Sequence, residues 1–459
     1  MDSKSPGKLA GIVLAAGKGT RMKSTLPKCA FPLMGMPMAG WVCGAMRDAG
    51  VVRPIVVVGF GADVVRGVLG EGYDYAVQEQ QLGTGDAVRS ALEFLPDDSD
   101  WVFISPGDTP AVDGELFLRL LKAAEDAGAD AAIGVVKLDS PGSYGRVILG
   151  EGGVEQIVEA RDCTPAQLAV QTVNTGHYVI RASLLKEVVP KFSAENDQRE
   201  YYLTDFVKLA TEEGCAVVPA MFGSMDQAIG VNDRWQLAEA AGIIRSRLLK
   251  ELAERGVTIV DPASTYVEAG VRIGPDTVLL PNTFLEGATS IGSRCLIGPS
   301  TRLIDSVVND DSTVHMSYLN TATVDAECSV GPFAHLRPGT RLHRGVKVGN
   351  FVEIKNAEVG ENAKVPHLSY VGDASVGAAA NIGAGTITCN YDGKKKHRTE
   401  IGAGVFVGSN STLVAPLNLG DGCFVAAGSV ITKDVPPDAL AFGRARQEIK
   451  ADWAKRWRE

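Results

Sequence analysis

A chain of 459 residues implies two to four domains with sizeable cores and excludes a disulfide-stapled miniprotein. With 45% apolar and 22% charged residues, it is neither wholly disordered nor collagen-like. Forty-five basic against fifty-five acidic residues leave a net charge of -10, a poor footprint for coating nucleic acid or an anionic membrane, so any anionic ligand must be held by local charge.

The 52 glycines are spread along the chain rather than pooled in one linker, which points to many tight turns. Eight cysteines, at 29, 43, 163, 215, 295, 328, 389 and 423, never come closer than fourteen residues, so neither a CxxC metal site nor a disulfide framework is suggested. Lys4 and Lys8 ahead of an apolar run from Leu9 to Ala16 imitate a secretory leader, but the run passes straight into Gly17-Lys18-Gly19-Thr20-Arg21. No stretch approaches the ~18 apolar residues of a membrane span. A cytoplasmic protein with reduced thiols is expected.

From residue 9 to about 230, short apolar β-branched runs alternate with amphipathic stretches. Residues 9–14, 54–58, 101–104, 131–136 and 176–180 are predicted strands. That alternation predicts an α/β domain with a largely parallel sheet, whose ligands gather at the carboxyl ends of the strands. Over 232–255, Leu237, Ala241, Ile244, Leu248 and Leu252 follow helical spacing, with Asn232 or Asp233 as the cap and Gly256 as the stop.

Beyond residue 256 the period is six. Ile273, Leu279, Leu285, Ile291, Ile297 and Leu303 form one run; Val324, Val330, Leu336, Leu342, Val348 and Ile354 a second; Ile401, Val407, Leu413, Leu419, Val425 and Ile431 a third. Ordinary hairpins would alternate by two. A period of six is the hexapeptide repeat of a parallel β-helix, whose aliphatic residues point inward and stack from rung to rung. The period slips to five at 354–359 and breaks outright at 389–400, an expected loop. In the tail, Ile449, Trp453 and Trp457 suggest a helical stripe packed on the coil or a neighbour.

The strand at 9–14 runs into Ala15-Ala16-Gly17-Lys18-Gly19-Thr20-Arg21-Met22, with Pro27-Lys28 after it. Small residues let backbone approach a ligand and Lys18, Arg21 and Lys28 add positive charge, so this reads as a phosphate cradle. Neither GxxxxGK[ST] nor the third glycine of the dinucleotide fingerprint is present. This segment resembles the signature of sugar-1-phosphate nucleotidylyltransferases, and Gln81-Leu82-Gly83-Thr84-Gly85 is similar to the uracil-reading loop of uridylyltransferases. With the long helix and hexapeptide half included, nearly the whole chain resembles the bifunctional N-acetylglucosamine-1-phosphate uridylyltransferase and glucosamine-1-phosphate acetyltransferase family.

The resemblance implies a Rossmann-like nucleotidyltransferase domain at 1–234, a linker helix at 235–255, and a left-handed parallel β-helix of hexapeptide repeats with a C-terminal tail at 256–459. It places the uridine nucleotide on Leu14, Ala15, Ala16, Gly17, Gln78, Gly83 and Thr84, and the sugar on Gly145, Glu159 and Asn174. Asp108 and Asn232 match its magnesium ligands, hard oxygens of the kind that ion takes alongside phosphate and water. Arg21 and Lys28 would neutralise charge while the sugar phosphate attacks UTP. Two segments depart from the family pattern, Ser105-Pro106-Gly107-Asp108 and Cys29-Ala30-Phe31, and altered packing is expected there.

In the second half, histidines stand at 177, 315, 335, 343, 367 and 397, and spacing alone does not choose among them. Lys364-Val365-Pro366-His367-Leu368-Ser369-Tyr370-Val371-Gly372-Asp373 resembles the family's catalytic segment, which makes His367 the expected general base. The resemblance assigns the sugar phosphate to Arg337 and Lys355, the sugar to Tyr370, Asn381, Asn390 and Tyr391, and acetyl-CoA to Ala384, Ser409, Ala427 and Arg444. Lys394, Lys395, Lys396 and Arg398 read as a solvated loop tip or as attractors of the CoA phosphates. It implies small-molecule substrates (glucosamine-1-phosphate, acetyl-CoA, UTP and N-acetylglucosamine-1-phosphate), Mg2+ as cofactor, and a homotrimer with no nucleic-acid or membrane partner. Two other readings are a nucleotidylyltransferase with one activity whose β-helix only regulates or assembles it, and a non-enzymatic scaffold.

Overall fold

The computed structural model describes residues 8–196, 198–223 and 225–458; Lys4 of the leader-like segment lies outside them. The chain divides into two compact units, residues 1–244 and 245–459.

The first unit is built on a nine-stranded sheet. Its main path runs Val217–Met221, Ala131–Lys137, Thr172–Arg181, Trp101–Pro106, Leu9–Leu14, Ile55–Val58, Asp74–Val77. The strands are parallel except Thr172–Arg181, which is antiparallel to both neighbours. All five predicted strands are present. Pro54 stays outside its strand, and Thr172–Arg181 begins before the predicted 176 because a register shift between Asn174 and Tyr178 carries the pairing through an irregular stretch. The hairpin Arg146–Gly150 and Gly153–Val158, which sequence periodicity missed, hangs from the same strand.

Leu9–Leu14 is a central strand with Ile12 and Val13 wholly buried, so the leader-like run is core. Helices Met38–Asp48 and Gly114–Ala127 cover one face. On the other face, Ala182–Val188 and Asp205–Glu212 bury Leu185, Phe206 and Val207.

The long helix is Arg234–Glu254. Asp233 is its cap, since its Oδ1 accepts from the backbone N–H of Trp235 and Gln236. Gly256, at φ +91°, ends it.

The second unit is the expected left-handed parallel β-helix. Three ladders of short parallel strands climb it, and Val278, Leu296, Thr313, Ser329 and Lys347 are successive register partners along one of them. One turn therefore takes 16–18 residues over this stretch, or about three hexads. In all three predicted runs the aliphatic residues are buried, with only Ile273 at the open end partly exposed. Each such side chain contributes roughly 1.5–3 kcal/mol by burial. Between the first two runs the chain keeps its inward residues, Val308, Val314 and Leu319, by shortening two rungs. Corners turn through left-handed φ. One corner stacks Asn282, Ser300, Met316, Phe333, Phe351 and Leu368 at φ 39–58°. Asn adopts that conformation readily, whereas Phe and Leu do so only at a cost.

In the tail, of the two expected partners of the aromatic stripe, the coil is not the one it uses. Only Trp453–Trp457 forms a helical turn, with the two rings 6.0 Å apart. Ile449 is 82% and Trp457 78% exposed, so this stripe does not pack on the coil.

Candidate active sites

At the carboxyl ends of Leu9–Leu14 and Trp101–Pro106 lies a cleft of about 310 Å³. Leu14, Ala16, Gly17, Lys28, Gln78, Gly83, Thr84 and Asp108 line it, joining residues drawn from four separate loops. Ala15 lies behind the wall, buried, its N–H donating to the Val57 carbonyl at 2.8 Å. Gln78 is buried and its amide nitrogen donates to the Gly83 carbonyl and to Asp86, pinning the loop that precedes Thr84. Gly83 sits at φ +111°, and a Cβ there would lie 2.4 Å from the Tyr201 carbonyl oxygen, so no other residue fits without moving the loop.

The charged end of the cleft is compact. The Lys28 ammonium pairs with Asp108 and also reaches Asn232 Oδ1 at 3.3 Å, to which Arg21 donates at 2.8 Å. The Val231 N–H donates to the Asp108 carbonyl and ties the 230–232 segment to the strand end. Lys18, expected to share this cradle, instead stands over the Phe60 ring, 5.3 Å from its centroid. The two departures from the family pattern face each other here. A Cβ on Gly107 would lie 3.2 Å from Cys29 Sγ, and burial pushes that thiol up to about 12, so it is inert at neutral pH.

Gly145, Glu159 and Asn174 also come together. The Asn174 N–H donates to the Gly145 carbonyl at 2.9 Å, and a Cβ on Gly145 would sit 3.7 Å from the Glu159 carboxylate. Burial raises the Glu159 pKa, opposed by a hydrogen bond from Thr204. Asn174 holds Tyr178 through its amide nitrogen and the Gly176 N–H through its oxygen, so its side chain is fixed.

In the coil, one group gathers round Lys355. Lys396, from the loop at 389–400, and then Arg337 hold the Lys355 ammonium below the ordinary lysine range by repulsion. Arg337 is steadied by Glu353 at 2.7 Å. Asn390 donates to buried Asp373 and lies 3.4 Å from the Tyr370 hydroxyl, while Asn356 donates to the other oxygen of Asp373. The loop itself is a small hairpin in which Tyr391 bridges Lys396. Asp392 accepts from the N–H groups of Lys395 and Lys394 and from His397, which lowers its pKa to about 2. Of the basic run, Lys396 turns to Lys355 and Arg398 pairs with Glu400, so its members do not act as one patch.

His367 ends the strand Lys364–His367, and Tyr370 opens the next face one corner later. The imidazole is exposed, and its Nδ1 meets Asn350 Oδ1 at 2.6 Å. Asn381 lies on the same face as His367, one rung on, paired with Lys364. Ala384, Ser409 and Ala427 stack on successive rungs, each two residues past an inward-pointing Ile382, Val407 or Val425. Arg444 is exposed beyond the last strand, Leu440–Ala441. Sequence reasoning missed Asn350, Glu353, Asn356 and Asp373. Asn350, Glu353 and Asp373 lie one rung, 16–17 positions, from His367, Arg337 and Asn390, and Asn356 lies one rung from Asp373, so rung spacing is the signal that finds them.

A strand-end cleft with clustered cations, followed by a hexapeptide coil carrying its own histidine–lysine–arginine set, defines a nucleotidyltransferase joined to a hexapeptide-repeat transferase. Residues 11–205 match the MobA-like NTP transferase domain, and residues 398–433 match the hexapeptide repeat of succinyl-transferase. The Bifunctional protein GlmU of Carboxydothermus hydrogenoformans is 47% identical over 448 residues, covering 97% of this chain and all of that protein. Its namesakes in Thermotoga petrophila and Heliobacterium modesticaldum are 47% and 44% identical, each over 98% of this chain and 98% or more of their own length. The chain belongs to the family of bifunctional GlmU proteins.

Proposed function

We propose that the chain performs two transfers on one amino sugar. In the coil, the amine of glucosamine-1-phosphate takes acetyl from acetyl-CoA. In the sheet unit, a phosphate oxygen of the resulting N-acetylglucosamine-1-phosphate attacks the α-phosphorus of UTP, which gives UDP-N-acetylglucosamine and pyrophosphate. The observation that carries this reading is the pair of chemically distinct clusters: Arg21, Lys28, Asp108 and Asn232 in one unit, Arg337, Lys355, Lys396 and the amide-bound His367 in the other.

In acetyl transfer His367 removes a proton from the attacking nitrogen as the C–N bond forms, and returns it to the sulfur as the C–S bond breaks. Arg337 and Lys355 hold the sugar phosphate, and the mutual repulsion of Lys355 and Lys396 is relieved when an anion lies between them. Tyr370, Asn381, Asn390 and Tyr391 orient the sugar. Ala384, Ser409 and Ala427 leave room beside the coil for the pantetheine arm, and Arg444 meets a CoA phosphate.

In uridylyl transfer the reading assigns the nucleotide to residues 14–17, Gln78, Gly83 and Thr84, and the sugar to Gly145, Glu159 and Asn174. Asp108 and Asn232 would hold Mg2+. Their oxygens already converge on a single cation, the Lys28 ammonium, which fits a site with two protein ligands completed by phosphate and water. Among the described residues, no group of three or more His, Cys, Asp or Glu side chains could hold a metal. When bound, the ion withdraws charge from the phosphates; Arg21 and Lys28 neutralise the remainder and align the reacting oxygens.

The reading includes a cytoplasmic homotrimer. No described helix is long and apolar enough to cross a membrane. Met316, Phe333, Phe351 and Leu368 form an exposed apolar ladder, with Phe333 and Phe351 stacked at 5.2 Å and Leu368 next to His367, which supports a subunit face beside that site. Sedimentation velocity tests the assembly. For the chemistry, purified protein is given glucosamine-1-phosphate, acetyl-CoA, UTP and Mg2+, and thiol and pyrophosphate are followed together. Thiol release with no pyrophosphate, or the reverse, overturns the double assignment.

A further inference from the structure

Two neighbouring rungs of the coil meet at His367. The strands Lys347–Asn350 and Lys364–His367 run parallel with Asn350 and His367 as register partners, and the Leu368 N–H donates to the Asn350 carbonyl at 3.0 Å. Gly349 makes this closeness possible, because a Cβ there would lie 1.9 Å from the Pro366 carbonyl oxygen. The backbone therefore sets Asn350 beside the imidazole, and its Oδ1 lies 2.6 Å from Nδ1.

An amide oxygen only accepts hydrogen bonds, so this contact requires the proton to be on Nδ1. We propose that Asn350 is the positioning residue for His367, holding the tautomer whose Nε2 lone pair faces the substrate amine. Without it the neutral imidazole divides between two tautomers and two ring orientations, and only one of these presents a base in the right place. As Nε2 takes the proton and the ring becomes imidazolium, Nδ1–H keeps its acceptor and the new charge is partly balanced by the amide dipole. The charged groups these two strands carry are Lys347 and Lys364, also register partners, and neither is a carboxylate that could take the place of the amide. The amide thus orients the base without raising its proton affinity as a carboxylate would, which suits a base that must be unprotonated near neutral pH. This inference rests on the reading of His367 as the acetyl-transfer base.

The experiment uses the full-length protein and measures thiol release against pH, with pyrophosphate release from UTP and supplied N-acetylglucosamine-1-phosphate as the control on the same preparation. Asn350→Ala is expected to lower kcat for acetyl transfer by about tenfold or more, with KM for glucosamine-1-phosphate changed less than about twofold and uridylyl transfer unchanged. Asn350→Asp keeps shape and acceptor. It should recover acetyl transfer at alkaline pH and move the acidic limb of the kcat profile upward by about one unit, because its carboxylate stabilises the imidazolium. Wild-type kcat in Asn350→Ala, or an Asn350→Asp profile that overlays the wild type, overturns the proposal. Intact acetylation in His367→Ala overturns instead the assignment of the base on which it rests.

Discussion

The two units build their sites in opposite ways. In the sheet unit, residues 204 and 211 positions apart meet at Asn232 because separate strands end on the same edge. In the coil, apart from Lys396, which the 389–400 loop brings to Lys355, the contacts join residues 16–20 positions apart, one rung to the next, as in Arg337–Glu353, Asn350–His367, Asn356–Asp373 and Asn390–Tyr370. A sheet collects chemistry from across a domain, so a change in one loop displaces a whole cluster. A solenoid supplies its own local lattice, and a single substitution is felt mainly by the rungs above and below.

The largest expected effect that tests this contrast is the separation of activities. His367→Ala should lower thiol release from acetyl-CoA by about a hundredfold or more while leaving intact the pyrophosphate release from UTP and supplied N-acetylglucosamine-1-phosphate. Parallel loss of both in a folded protein would refute independent sites. Asp108→Ala should act in the opposite sense, lowering pyrophosphate release by about a hundredfold with thiol release retained, since the Lys28 ammonium loses its carboxylate and keeps only Asn232 Oδ1. An unimpaired uridylyl transfer would remove Asp108 from that site.

At the level of stability, truncation of one inward residue of the coil, Leu336→Ala, should cost about 2–5 kcal/mol in denaturant unfolding. A cost below about 1 kcal/mol would show that the rungs relax around the cavity rather than form a close-packed stack. The smallest effect concerns pH. His177 is fully buried between Phe117 and Phe222, and burial depresses its pKa to about 4 from 6.5. The unfolded chain therefore binds the proton more readily in this window. The stability is present above pH 6.5 and is lost as pH falls toward about 4. His177→Gln should flatten that slope in the sheet unit's transition, and an unchanged slope would assign it to other groups.

Legibility differed between the units for a physical reason. The hexad runs could be read directly because an inward aliphatic residue at Leu279, Leu336 or Leu413 has one fate, burial. Lys18, by contrast, sits in the same glycine-rich stretch as Arg21, yet it stands over Phe60, because a flexible cation on a turn goes to whichever aromatic or acid the neighbouring loop presents. Asn350 was invisible because a lone neutral amide carries no signal until the register places it beside an imidazole. The tryptophans of the tail have helical spacing, but only one turn forms, since the coil of the same chain gives the stripe no surface to bury against.

The amino-acid order alone determined the alternation of strand and helix in the first half, the six-residue stacking in the second, and the motifs that name the chemistry, because these depend on periodicity and short-range residue type. Only the tertiary structure decided which cations face Asn232, which carboxylate steadies Arg337, and which amide meets Nδ1 of His367. Those outcomes depend on distances between rungs and strand ends, and such distances exist only once the backbone has closed.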